Sequence, residues 1–238
     1  MPQSAASRPQ IGLICLTLIC QMLTCVPAMH GPGNVAVAQD RQLSDLELRG
    51  RILRSLRDGV DFLQRRQGRN GSWTASGDES AYKYGITSLA ILALINSDVP
   101  VDSEPVQRGL QFLRSAPPNQ PEFVYEASLM VMAFCAADEL IKDRDRIVRI
   151  TTLLERTQCT QGPNSGLWGY HLVGRGGSPG GNGEDHSNGQ FAVLALRDAA
   201  YAGIEVDRQV WERTHEHWLR TQRGDGGWGY KPNDPAKG

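Results

Sequence analysis

Few residues in this chain are of a type and placement to do chemistry, and the carboxylates come first. Glu126 lies near the start of FVYEASLMVMAFCAA (residues 123–137), and Asp185 opens DHSNGQFAVLALRDAA (residues 185–200). A carboxylate at the start of a helix faces the positive end of the peptide dipoles, where neighbours can set its acidity. Two such acids are also what glycoside cleavage requires, and Glu126 with Asp185 is the one pair at matching positions. The run Asp143-Arg144-Asp145-Arg146 alternates in sign and reads as a solvated helix start. His215 and His217 stand two apart on an expected helix, about 200° apart around its axis, and cannot share a metal. No C-x-x-C, H-E-x-x-H, G-x-S-x-G or phosphate-loop pattern occurs.

The elements that must position these residues form an internal repeat. YKYGITSLAILALI (residues 82–95), the run from Phe123 and the run from Asp185 align on one another. Each is followed by a second helix, ending in FLRS at Ser115, LLERTQ at Gln158 and HWLRTQ at Gln222. A partial unit before them ends in FLQRRQ at Gln67. The spacings between these ends are 48, 43 and 64, the last lengthened by a Gly-rich insertion over residues 171–184. The first helix of each unit is apolar nearly all round, as in Leu89 to Leu94 and Leu129 to Phe134, and must be surrounded by protein. The second is amphipathic, and the leading helix shows the pattern in Leu53, Leu56, Val60 and Leu63. Ser44 with Glu47 predicts a capping box, and Asp207 an N-cap for the last helix. No long run alternates with period two, so a sheet is not expected. One enclosed and one half-exposed helix per unit imply an all-α αα-toroid, with inner and outer layers.

The joints carry a second signal. QGRNGSW (residues 67–73), QCTQGPNSGLWGY (158–170) and QRGDGGWGY (222–230) each follow an outer helix with Gln, a Gly-rich turn and Trp. Glycine permits the positive φ of a sharp exit, Gln can bond the unpaired carbonyls at the helix end, and Trp can cover the joint. These tryptophans are therefore expected to be glue between repeats. The joint SAPPNQPEFVY departs from the rule, with three prolines and no Trp.

In these joints the chain resembles the prenyltransferase and squalene-oxidase repeat family, the toroid of terpenoid cyclases and protein prenyltransferase β subunits. It is similar above all to exported bacterial squalene-cyclase-like repeat proteins of unassigned role. The resemblance covers about residues 50–230. A cyclase of that family protonates an alkene through D-x-D-D-T-A at an inner-helix start, and this motif falls on Asp185-His186-Ser187-Asn188. Asp185 matches, while Ser187 and Asn188 replace the other two acids and can supply no proton. The zinc-dependent prenyltransferases place a D-x-C pair at the same residues, where Ser187 stands for the ligand Cys. A substitute set of Asp185, His186 and His171 is conceivable, but no metal and no cofactor is expected. The resemblance thus implies Asp185 as the candidate catalytic residue, with Tyr84, Tyr125, Glu126, His186, Asn188 and Gln190 as candidate ligand-binding residues. It implies an isoprenoid or other apolar ligand on the concave face. A repeat scaffold that binds protein or peptide is the alternative. A closed toroid needs five or six helix pairs, so an incomplete ring is expected, either the N-terminal part of a longer protein or an open repeat edge that meets a protein partner.

Composition bounds these readings. The chain has 25 basic and 26 acidic residues in 238, a net charge of −1, which gives no basic face for nucleic acid. Charged residues at 21% and hydrophobic residues at 40% fit a globular domain. Residues 1–38 read as a signal peptide: Arg8, an apolar stretch over 11–26, Pro27, then Ala36-Val37-Ala38 before Gln39. That stretch is short for a membrane span. Export, to periplasm or exterior, is therefore expected, with residues 39–238 as the repeat domain. Cys135 and Cys159 are then the only cysteines left, and a single bridge between them stays open.

Overall fold

The computed structural model describes residues 44–74, 82–174 and 183–232, so the expected leader, residues 1–38, lies outside it. The described residues form seven helices and no strand: α1 Asp45–Arg66, α2 Lys83–Asn96, α3 Glu104–Arg114, α4 Val124–Ala137, α5 Leu140–Thr157, α6 His186–Tyr201 and α7 Arg208–Thr221. The chain divides into two compact units, residues 1–54 and 55–238. The described part of the first begins α1. Its capping box forms as the sequence predicts, Ser44 N donating to Glu47 Oε2 at 3.0 Å and Glu47 N to Ser44 Oγ at 3.3 Å. No helix among the described residues is long and apolar enough to cross a membrane.

Within residues 55–238 the core follows the hydrophobic patterns. Helix α4 carries no polar face and lies between α2 and α6, with most of its length buried. Helix α3 packs on α2, and α5 packs on both α4 and α6. Helices α3 and α5 bury one stripe each: Val106, Leu110 and Leu113 on α3, and Ile147, Ile150 and Leu154 on α5. Helix α1 departs from expectation. Its apolar stripe is present, but none of its residues is buried. Leu89 on α2 is likewise exposed.

At the joints two of the three tryptophans are buried as expected, Trp73 and Trp168, while Trp228 is 40% exposed. The indole of Trp73 donates to the Leu63 carbonyl at 2.8 Å, Trp168 to Leu154 at 2.7 Å and Trp228 to Trp218 at 2.9 Å. Each ties the joint back to the helix before it. The proline joint is built from ions instead: Arg114 on α3 reaches Asp143 Oδ2 on α5 at 2.6 Å and Glu139, the residue before α5, at 2.8 Å.

Candidate functional site

Asp185 is the N-cap of α6, and its backbone is held extended by a bridge to Trp168. Its Oδ1 accepts from the Asn188 amide N–H at 2.7 Å, the bond that satisfies one of the orphan donors of the first helical turn. Its Oδ2 accepts from the Asn188 side-chain amide and from the Tyr230 hydroxyl, each at 2.9 Å. The carboxylate is therefore acceptor-only, buried, and in contact with three donors. Tyr230 is bonded in turn to the hydroxyl of Tyr170, an interaction that, with burial and the Asp185 charge, pushes its phenol pKa up. Tyr170 and Tyr230 are both half exposed, so a phenol pair stands between Asp185 and solvent.

The neighbouring His186 is buried and turns the other way. Its Nδ1 lies 2.7 Å from the Gly229 carbonyl and its Nε2 3.1 Å from Nε2 of His217, whose Nδ1 lies 2.9 Å from the Ser165 carbonyl. Both Nδ1 atoms face carbonyls and so carry hydrogens. The His186 Nε2 also lies 3.3 Å from the Thr221 hydroxyl. Burial, with His186 and Arg220 adding to it, lowers the His217 pKa to about 4. Trp218 covers the pair, its ring centroid 4.8 Å from that of His186.

The expected site residues thus separate into groups. Asp185, His186 and Asn188 lie together, and Tyr125 joins them through a hydrogen bond to Ser187 and a ring contact with Phe191 at 4.8 Å. Burial raises the Tyr125 pKa, and the Asp185 charge adds to the effect. Glu126 and Tyr84 form a second cluster: Glu126 Oε1 accepts from the backbone N–H groups of Tyr84 and Gly85, each at 3.2 Å, and so caps α2 from α4. Burial pushes the Glu126 pKa up, and those two donors oppose it. Gln190 lies half buried on α6. The Asn188 Oδ1 is buried without a partner among the described residues.

Sequence reasoning missed Tyr170, Tyr230 and Ser187. A signal for the first two was present: Trp168-Gly169-Tyr170 and Trp228-Gly229-Tyr230 are the same triplet. Only the tryptophans of those triplets were read as structural. Tyr82, Phe123 and His171 extend the aromatic surface in a row, with centroids 5.0 and 4.7 Å apart. Cys135 and Cys159 are both free, and burial pushes the Cys135 thiol up to about 12. Among the described residues no cluster of three or more His, Cys, Asp or Glu is placed to hold a metal ion.

No protein-family profile matches the chain, and no curated protein or solved structure does.

Proposed function

We propose that the chain is an exported helix-pair repeat scaffold, an arc of an αα-toroid, that binds a polypeptide on the surface formed by its inner-helix starts. The toroid reading is supported by the side-by-side packing of α2, α4 and α6 with α3 and α5 on their backs. The observation that carries the functional reading is the engagement of Asp185. At the position where a cyclase needs a proton donor, this carboxylate accepts three hydrogen bonds and serves as a helix cap. Around it the surface offers exposed Tyr82, Tyr170 and Tyr230, rigid amphipathic rings of the kind that dominate protein-recognition surfaces. A photoreactive phenylalanine analogue at position 82 or 170, in cells making the protein, should capture a discrete polypeptide, whereas one at Tyr201 should not. Hopanoid product from squalene, or no polypeptide adduct at either position, would refute the reading. Export adds that the mature chain starts near Gln39, which N-terminal sequencing reads; a retained 1–38 segment sinks it.

One observation favours a second reading, an isoprenoid or other apolar ligand. A cavity of about 510 Å3 between α1 and α2 is lined by Phe62, Leu63, Trp73, Ile86, Leu89 and Ala90. Farnesol should quench Trp73 fluorescence saturably if this cavity holds such a chain; a linear, non-saturating response rules it out.

A further inference from the structure

Two of the three tryptophan joints are filled by the next outer helix, and they are filled in the same way. In the first, the Gln67 side-chain amide donates to Gly71 O at 2.9 Å and onward to Pro105 O of α3 at 2.8 Å. Gly71, at φ 87°, lies so close to α3 that a Cβ on it would stand 2.4 Å from the Arg108 carbonyl. Trp73 lies over Gly109, where a Cβ would meet its ring at 2.9 Å. In the second, Gln158 donates to Gly166 O and to Val210 O of α7 at 3.1 Å, and a Cβ on Gly166 would stand 2.3 Å from the Arg213 carbonyl. Pro105 to Arg108 and Val210 to Arg213 are both three residues, one turn of the incoming helix. Thr214, another small residue, follows Arg213 as Gly109 follows Arg108.

The third joint has the same build. Arg223 N donates to Gly227 O at 2.9 Å and Gly226 N to Arg223 O at 2.9 Å, as Gly68 N does to Ser72 O at 2.8 Å and Gly71 N to Gly68 O at 2.9 Å. Gln222 donates to Gly226 O at 2.8 Å, and Gly226 has φ 84°. Yet a Cβ on Gly226 would meet nothing within 4 Å among the described residues, and Trp228 is 40% exposed where Trp73 is 4% and Trp168 0%.

The complementary half lies on α1. Gly59-Val60-Asp61-Phe62-Leu63 repeats Gly109-Leu110-Gln111-Phe112-Leu113, which places Ser55 where α3 has Pro105 and Asp58 where it has Arg108. Gly59 is exposed, with nothing among the described residues within 4 Å of a Cβ, whereas Gly109 is covered by Trp73.

We propose that this chain assembles head to tail, α1 of a second copy docking on the Gln222–Trp228 joint. Trp228 then covers Gly59 of the second copy, Gln222 donates to its Ser55 carbonyl, and Gly226 approaches its Asp58 carbonyl. The contact is heterologous, so it propagates into a ring or an open chain rather than stopping at a symmetric pair. It uses a surface apart from the aromatic row and stands or falls independently of the ligand bound there.

The test is the mass of the full chain in solution, by light scattering and sedimentation equilibrium over a wide range of micromolar concentrations. The wild-type mass should rise with concentration above that of one chain. Gly59→Arg places a long side chain where Trp228 must sit, at an exposed helical position where arginine favours the helix more than glycine does. It should hold the mass at one chain without lowering the melting temperature. Trp228→Ala should also give one chain. An equal mixture of the two variants keeps one intact contact, Trp228 of the first with Gly59 of the second, and should give the mass of two chains and no more. A wild type that stays at one chain throughout would overturn the proposal, the joint then being left for a different protein or for further residues of a longer chain. Unchanged assembly of Gly59→Arg, or a mixture that remains at one chain, would overturn it equally.

Discussion

The second tryptophan joint and the proline joint solve one problem with different chemistry. Both must hold the start of one helix against the helices packed beside it. At the tryptophan joint most of the work is done by neutral donors, the Trp168 indole on Leu154 O and the Gln158 amide on Val210 O and Thr214 Oγ1, with Arg213 Nε adding a bond to Gln158 Oε1 at 2.7 Å. At the proline joint Arg114 spans the gap to Asp143, which is wholly buried, and to Glu139, while Arg149 donates to the carbonyls of Pro118 and Gln120. A turn without glycine or indole has been locked by guanidinium groups. The tryptophan joint depends mainly on shape, with His217 on the Ser165 carbonyl as its acid-sensitive contact. The ionic one depends on charge balance in a desolvated place.

The largest break in that comparison should come from Trp168→Ala. It empties a fully buried site and removes a buried hydrogen bond, so thermal or urea unfolding should show a loss of about 4 kcal/mol. Arg114→Ala should follow, at about 3 kcal/mol, because it leaves the buried Asp143 carboxylate with only the more distant Arg146, 3.9 Å away. Arg114→Met with Asp143→Leu should recover much of that loss; if the double variant is worse than the single one, the joint is not held by charge balance.

Acid separates the regions next. His217, which bonds Ser165 of the second joint, has its pKa lowered to about 4 in the fold, against an unfolded value near 6.5. The unfolded chain binds the extra proton first. Stability should therefore fall as pH drops from about 6.5 to 4, by about 2 kcal/mol. His217→Gln should flatten that slope. At the proline joint, burial pushes the Glu139 pKa up, but Lys142 and Arg114 outweigh it and hold the pKa down at about 2. Its contribution is complete above an unfolded value near 4.5 and is lost between there and 2. Urea midpoints across pH resolve the two windows, and a single transition insensitive to His217→Gln would merge them. The smallest effect should be Trp228→Ala. With the ring 40% exposed, the loss in the dilute single chain should be near 1 kcal/mol. A loss like that of Trp168→Ala would mean the third joint is filled in solution by its own chain.

The helix pairs, the capping box and the joints were legible because each is written within a short stretch. Periodicity marks α3 and α5, unbroken apolar runs mark α4, and Ser44 with Glu47 marks the start of α1. What the sequence does not carry is which joints are occupied. Trp73, Trp168 and Trp228 have like neighbours in the chain but unlike neighbours in space, so the expectation that Trp228 is packed between repeats gave way to a half-open ring. The partners of the candidate site were hidden for the same reason. Tyr230 reaches Asp185 across 45 residues and His217 reaches His186 across 31, through contacts that no local pattern announces.

The second joint is also the longest route between equivalent points. Gln158 and Trp168 are ten residues apart where Gln67 and Trp73 are six, yet both turns close on the same bonds, Cys159 N on Leu167 O at 2.8 Å and Gly68 N on Ser72 O at 2.8 Å. The surplus residues loop past Gly162, which has φ 70° and nothing among the described residues within 4 Å of a Cβ. Chain length is thus uncoupled from helix placement at this point. For an engineer that makes Gly162 a port: a peptide epitope or a whole domain whose ends lie close together can be spliced there with the flanking helices left in register.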